Sequence, residues 1–404
     1  MPNIVCVVTG PVVGLRSAWF LEDCVNLAKK AGRKLAVIDF FDELLQLEGF
    51  KPRNAFERIS CIGGLVDAYQ YQFRLMREKA YLSVSRRISE LENDVNVILR
   101  VPLTIEWRGF VHEFKDYRSI SQLIKPDRVI TLIDAEWKIY ERLLTDYGKY
   151  AVEKVTHAED KVSISQILRW LGSEVSRSED LAAWAEMLTG KKVEHYVLGI
   201  ETPGLFDRSF YVRDIDNMVK FATERNLLSF YVSYSMTVAK EDVREEINEA
   251  ICRLRNYGAV IDPASIEIKQ NASNEDEDED ATFSYTVCRD LQWYVKKTDI
   301  VAAFHPYEGM PPLSTGMMDE LGHAKAFFKE RYFVLGSGAG SPFTGGNFVP
   351  KENLFKRVED FFDYIENKRT PAIKPELKAI ADGYADYQKE VVEKKKKITG
   401  AMPS

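Results

Sequence analysis

Asp299, Ser314 and Glu320 fall in one stretch, Thr298 to Val334, that reads TDIVAAFHPYEGMPPLSTGMMDELGHAKAFFKERYFV. Carboxylates and hydroxyls gathered in this way can serve as nucleophile, acid or base. An apolar run, Ile300 to Phe304, follows Asp299 and leads into a loop rich in Gly and Pro. Ser314-Thr315-Gly316 ends that loop, and an amphipathic segment carries Asp319 and Glu320. A second apolar run, Tyr332 to Leu335, completes a strand–loop–helix–strand unit. In open α/β sheets ligands bind beyond the carboxyl ends of the strands, so the polar residues of this unit are the ones expected to meet a ligand. The competing reading makes Asp299 a turn cap and Glu320 a solvated helix residue. Asp319 is a rival carboxylate one position away. His305 and His323 flank the candidate site within this stretch, and local hydrogen bonding is the usual fate of an isolated histidine.

The pattern resembles the nucleoside 2-deoxyribosyltransferases and their nucleotide N-glycosidase relatives. It is carried by Asp299 at the start of a strand, Ser314 six residues before Glu320, and Glu320-Leu321-Gly322 on the helix. The resemblance implies that Glu320 is the nucleophile at C1′ and that Asp299 handles the proton of the base. Ser314 and Gly316 would contact sugar or phosphate. Family members open with a strand carrying a tyrosine that orients the Glu, then a small-residue loop. The strand Leu227 to Val232 and the run Ser233-Tyr234-Ser235 fit that opening, with Tyr231 the better candidate and Tyr234 the competitor. Ser233 and Ser235 would line the sugar or phosphate. Family transferases commonly carry Asp where Ser314 stands. A carboxylate there would repel a 5′-phosphate that a hydroxyl can bind, so a nucleoside monophosphate and hydrolysis are the expected substrate and outcome. This chemistry requires no cofactor.

The amino-terminal half begins with a strand candidate, Asn3 to Thr9, then Gly10-Pro11-Val12-Val13-Gly14-Leu15-Arg16-Ser17 and a helical pattern. This opening resembles the archaeal-type adenylate kinases and related P-loop kinases. Such a loop wraps phosphate with backbone N–H groups, reaches it with a lysine and holds Mg²⁺ with a Ser or Thr. Gly10, Gly14 and Ser17 stand at loop positions, while Leu15 replaces a glycine and Arg16 the lysine. Arg100 stands near the end of the strand Asp94 to Val101, where an acidic metal ligand is expected. A guanidinium is not a simple stand-in for an ammonium, and two parts of the phosphoryl-transfer apparatus are absent. Any ATP and Mg²⁺ would belong to this half. The alternatives are an intact nucleoside monophosphate kinase with a variant loop and a non-catalytic nucleotide sensor.

The expected fold is α/β, two domains each with a mostly parallel sheet flanked by helices, the first P-loop kinase-like and the second Rossmann-like. The expected division is residues 1–200, a connector 201–226, a second domain 227–367 and a helical tail 368–404. The chain has 404 residues, enough for sizeable cores. A net charge of −7 argues against a nucleic-acid surface over the whole chain. Its five cysteines form no CxxC pair, which fits a reducing compartment and a cytoplasmic location. No apolar run approaches a membrane span, and no signal peptide is evident. Asn271 to Asp280 is a block of like charge, expected to be a solvated loop. The glycine-rich run Gly336 to Asn347 has little to order it within one chain. A homo-oligomer is therefore expected, with this loop or the helix Asn353 to Asn367 at the contact.

Overall fold

The computed structural model describes residues 4–11, 17–53, 55–67, 70–107, 110–144, 163–200, 214–235, 241–266, 276–306, 313–336, 347–369 and 375–399. The chain is α/β and divides into two compact units, each with a five-stranded parallel sheet. Unit 1 comprises Met1–Arg225, Ile266–Tyr285 and Glu393–Ser404; unit 2 comprises Asn226–Ser265 and Thr286–Val392. No described helix is long and apolar enough to cross a membrane.

Unit 1 is built on β1 (Val5–Thr9), β2 (Leu35–Asp39), β3 (Asn96–Arg100), β6 (Arg128–Ile133) and β7 (Glu194–Gly199). Their order is β2-β3-β1-β6-β7, with a separate hairpin formed by β4 (Thr104–Trp107) and β5 (Phe110–Glu113). A parallel sheet with both faces covered reads as a continuous apolar run, which is why Val5 to Val8 are buried without alternation. The expected connector does not hold as a connector. Its helix, Ile215–Thr223, is buried at all nine positions and packs in unit 1 against the helix Ser17–Lys30. Phe221 stacks on Tyr196 with ring centroids 4.2 Å apart. Arg128 donates to the carbonyls of Phe221, Glu224 and Arg225 at 2.5, 2.6 and 2.7 Å, supplying donors where the helix runs out of its own. Residues 266–285 likewise group with unit 1 rather than with the second sheet. Part of the acidic block is helical, since a helix runs over Asp276–Cys288.

Unit 2 carries β8 (Leu228–Tyr234), β9 (Gly258–Ile261), β10 (Ile300–His305), β11 (Glu330–Leu335) and β12 (Leu354–Phe355). Their order is β12-β11-β10-β8-β9, all parallel. The chain leaves β8 in one direction to β9 and then returns to β10 on the other side. The β8/β10 boundary is therefore the switch point of the sheet, where a crevice opens beyond the carboxyl ends. Alternation sorts the side chains of these strands. Phe230, Val232, Ile300, Ala302, Phe304, Tyr332 and Val334 join one apolar core with the helices Glu241–Leu254 and Val358–Tyr364. The opposite parity, including Tyr231, Ser233, Ala303 and His305, belongs to the face covered by the helix Thr315–Ala326 and the turn Arg289–Val295.

In unit 1 a carboxylate meets the first N–H of the glycine-rich loop. Gly10 has φ 142°, a conformation that favours glycine, and its N–H donates to Glu174 at 3.0 Å. Glu174 is fully buried on the helix Ile164–Thr189. It also accepts from the N–H of Leu103 at 2.8 Å and from the Thr104 hydroxyl, which in turn accepts from Trp170 Nε1 at 3.1 Å. Burial pushes the Glu174 carboxyl up from its ordinary range, and these donors partly oppose that shift. Truncation would leave two buried N–H groups and a hydroxyl without their acceptor. Glu174→Ala is therefore expected to destabilise unit 1 by roughly 3 kcal/mol, and Glu174→Gln, which keeps an acceptor, by about 1. Urea unfolding followed by tryptophan fluorescence checks this. Equal, near-zero shifts for both variants would show that the carboxylate supports nothing there.

Candidate active site

The helix Thr315–Ala326 starts directly after Ser314, whose backbone is extended. Met317, Leu321 and Ala324 are its buried residues, spaced at helical intervals. Glu320, three residues after Met317 and adjacent to Leu321, lies on the edge of that face and turns towards the sheet. Its carboxylate is held at both oxygens by β8. The Tyr231 hydroxyl donates to Oε1 at 2.6 Å, and the Ser233 hydroxyl donates to Oε2. These two residues are one strand period apart on the same face, so one strand fixes both oxygens of the carboxylate.

Tyr234, of the opposite parity, donates instead to Asp262 Oδ1 at 3.1 Å. That strand alternation decides between the two tyrosines. Asp319 is exposed, and its carbonyl accepts from His323 Nδ1 at 3.1 Å. Glu320, not Asp319, is thus the carboxylate turned to the sheet.

Burial is the main reason that the Glu320 carboxyl is pushed up to about 7. The donors Ser233 and Tyr231 pull it down, the charge of Asp290 raises it, and Arg289 lowers it. The Tyr231 hydroxyl is itself pushed well above its usual range, first by burial and then by the charge of Glu320. It therefore stays protonated and remains a donor.

Arg289 and Asp290 were not found by reading the sequence for chemistry. They begin a π-helical turn, Arg289–Val295, just before β10. Such turns are frequent at functional sites. Arg289 is buried, and its Nε donates to Asp290 Oδ1 at 2.8 Å. Tyr294, from the same turn, brings its ring to 6.2 Å from that of Tyr231. The only sequence signal was an Arg-Asp pair inside an otherwise apolar helical segment.

The expected residues do not all converge. Asp299 lies at the amino end of β10, where its Oδ2 accepts from the N–H and hydroxyl of Ser229 at 2.9 and 2.7 Å. Ser229 is four residues before Ser233 on the same strand, roughly 13 Å along it at ~3.3 Å per residue. Asp299 thus clasps the amino ends of β8 and β10, and the proton-handling role implied for it does not fit this position. Ser314 is half-buried at the start of the Glu320 helix, and Ser235 is buried just beyond β8. Gly316 is exposed, and a Cβ there would lie 3.6 Å from Ser314 Oγ, an ordinary contact. Packing does not demand glycine at that position. The glycine-rich run from 337 to 346 lies outside the described residues.

In unit 1, Gly14 and Arg16 also lie outside the described residues; Ser17 opens a helix. A carboxylate already accepts the Gly10 N–H. The acid at the end of β2, Asp39, is held by Arg100 at 2.8 Å and Arg58 at 2.6 Å. Those two guanidinium charges, acting with the Asp42 N–H against burial, keep its carboxyl below the ordinary range. No protein-family model matches the chain, and no curated protein matches it significantly.

Proposed function

We propose that unit 2 breaks the N-glycosidic bond of a nucleoside monophosphate, with Glu320 as the nucleophile. The observation that carries this reading is the Glu320 carboxylate held by Tyr231 and Ser233 at the β8/β10 switch point. Cleavage of such a bond passes through an oxocarbenium-like sugar. A Glu320 oxygen bonds to C1′ as the C1′–N bond breaks, and the electron pair of that bond leaves with the base. Water then cleaves the glycosyl ester and frees the carboxylate. A second base in place of water would give transfer instead. The two hydroxyl donors fix the carboxylate against the sheet, which is the orientation an attack on C1′ requires. Ser314, at the amino end of the Glu320 helix, supports binding of a 5′-phosphate through its hydroxyl and the positive end of the helix.

Unit 1 is read separately, as a scaffold that does not turn over nucleoside triphosphates. Glu174 at the Gly10 N–H favours that reading. Calorimetric titration with Mg·ATP should give no saturable heat. Phosphate transfer abolished by Ser17→Ala would overturn it.

Incubation with a panel of ribo- and deoxyribonucleoside monophosphates should release free base, detected chromatographically. Glu320→Ala should lower the rate on the order of 10³-fold or more, and Tyr231→Phe by about 10–100-fold. Full release by Glu320→Ala would remove the proposed nucleophile.

The pH profile follows from the same carboxylate. A nucleophile must be ionised, and the Glu320 carboxyl is pushed up to about 7, so the acid limb of the rate profile should rise with pH and reach its half-height near there. Tyr231→Phe removes a donor that favours the charged form and should move the midpoint up. Asp290→Asn removes a neighbouring negative charge and should move it down. Initial rates from about pH 5 to about pH 9 check both signs. An unmoved midpoint in both variants would mean that the limb reports a different group.

A further inference from the structure

The reaction proposed above needs an acid for the departing base, and Asp299 is at the wrong end of the sheet. We propose that His305 is that acid, an inference that rests on the glycosidase reading of unit 2. His305 is the last residue of β10 and is 1% exposed. Ala303 is paired with Ser233 and Phe304 with Tyr234, so His305 is one step further towards the carboxyl edge. Its parity matches Ala303 and therefore Ser233 and Tyr231, which places it on the Glu320 side of the sheet. The strand spacing of ~4.8 Å and rise of ~3.3 Å put its Cα roughly 8 Å from that of Ser233. A sugar lying over the β8/β10 switch point with C1′ at Glu320 would carry its base within reach of this imidazole.

The other acid near Glu320 is Asp290. Burial pushes its carboxyl up, the Arg289 guanidinium bonded to it at 2.8 Å pulls it down, and that same bond commits its Oδ1 as an acceptor. A histidine can give and recover a proton near neutrality. The imidazolium transfers its proton to a ring nitrogen or oxygen of the base as the C1′–N bond breaks and the Glu320–C1′ bond forms. Water then cleaves the ester and gives its proton to solvent, and the neutral imidazole takes up a proton from solvent, which restores both groups. No oxidant, reductant or further reactant is consumed.

The test compares two leaving groups on one sugar phosphate. A nucleotide base needs protonation, whereas 4-nitrophenolate leaves without it. His305→Gln should lose at least ~100-fold in base release and stay within about threefold of wild type on the 4-nitrophenyl glycoside. Retained turnover of the second substrate also shows that the variant is folded. Asp290→Asn should change both rates alike. In His305→Ala, added imidazole should restore base release. Equal losses on both substrates by His305→Gln together with no imidazole rescue would overturn the inference, as would a selective loss in Asp290→Asn instead. Absence of base release by the wild type would remove the glycosidase reading itself and this inference with it.

Discussion

A carboxylate withdrawn from water and given no donors takes up a proton rather than remain charged. In unit 2 this constraint falls on Glu320. Its helix buries Met317, Leu321 and Ala324, so Glu320 can turn to the sheet only where the sheet offers hydroxyls. Tyr231 and Ser233 supply them from alternate positions of one strand. Two neutral donors soften the cost of ionisation without removing it, whereas a cation in contact would hold the carboxyl permanently charged. Arg289 is instead bonded to Asp290, and its effect on Glu320 is small beside burial. The outcome is a carboxylate that changes charge near neutrality, a property suited to a nucleophile that must form and release an ester.

The sheet topology sets where this can occur. Order β12-β11-β10-β8-β9 places the reversal between β8 and β10, and both strands contribute residues of the same parity there. The opposite face is filled by the apolar core with Phe361 and Phe362. The same register explains Asp299. A carboxylate that bonds the N–H and hydroxyl of Ser229 satisfies the amino edge of β8, a structural demand on the edge opposite the switch point.

Much of this was legible in the sequence. Glu320 stood out by its spacing from Ser314, and Tyr231 by its place in an apolar strand. Parity separates Tyr231 from Tyr234 once the strand is known to start at Leu228. Asp299 misled because a residue next to a strand can serve either edge of the sheet, and one-dimensional spacing does not distinguish the two ends. Arg289 and Asp290 were hidden for another reason. Glu320, the carboxylate whose charge they influence, is distant in sequence, and the π-helical turn that carries them departs from the 3.6-residue period on which helical reading depends.

Unit 1 shows the converse, a helix within the expected connector whose packing is complete. The helix Ile215–Thr223 contains Asp216, Asn217 and Lys220 among apolar residues. Each of these side chains is buried, and Lys220 Nζ donates to Asp216 at 2.8 Å one helical turn away. An i,i+4 pair of this kind contributes little at a surface, but inside a protein each charge is a reason to keep the other. Removing one partner would strand an ion, so the pair fixes which helix face can pack. Together with the Arg128 donors to its last carbonyls, this makes the segment an integral part of the first sheet's cover. Burial of such a helix depends on whether its charges come in matched pairs.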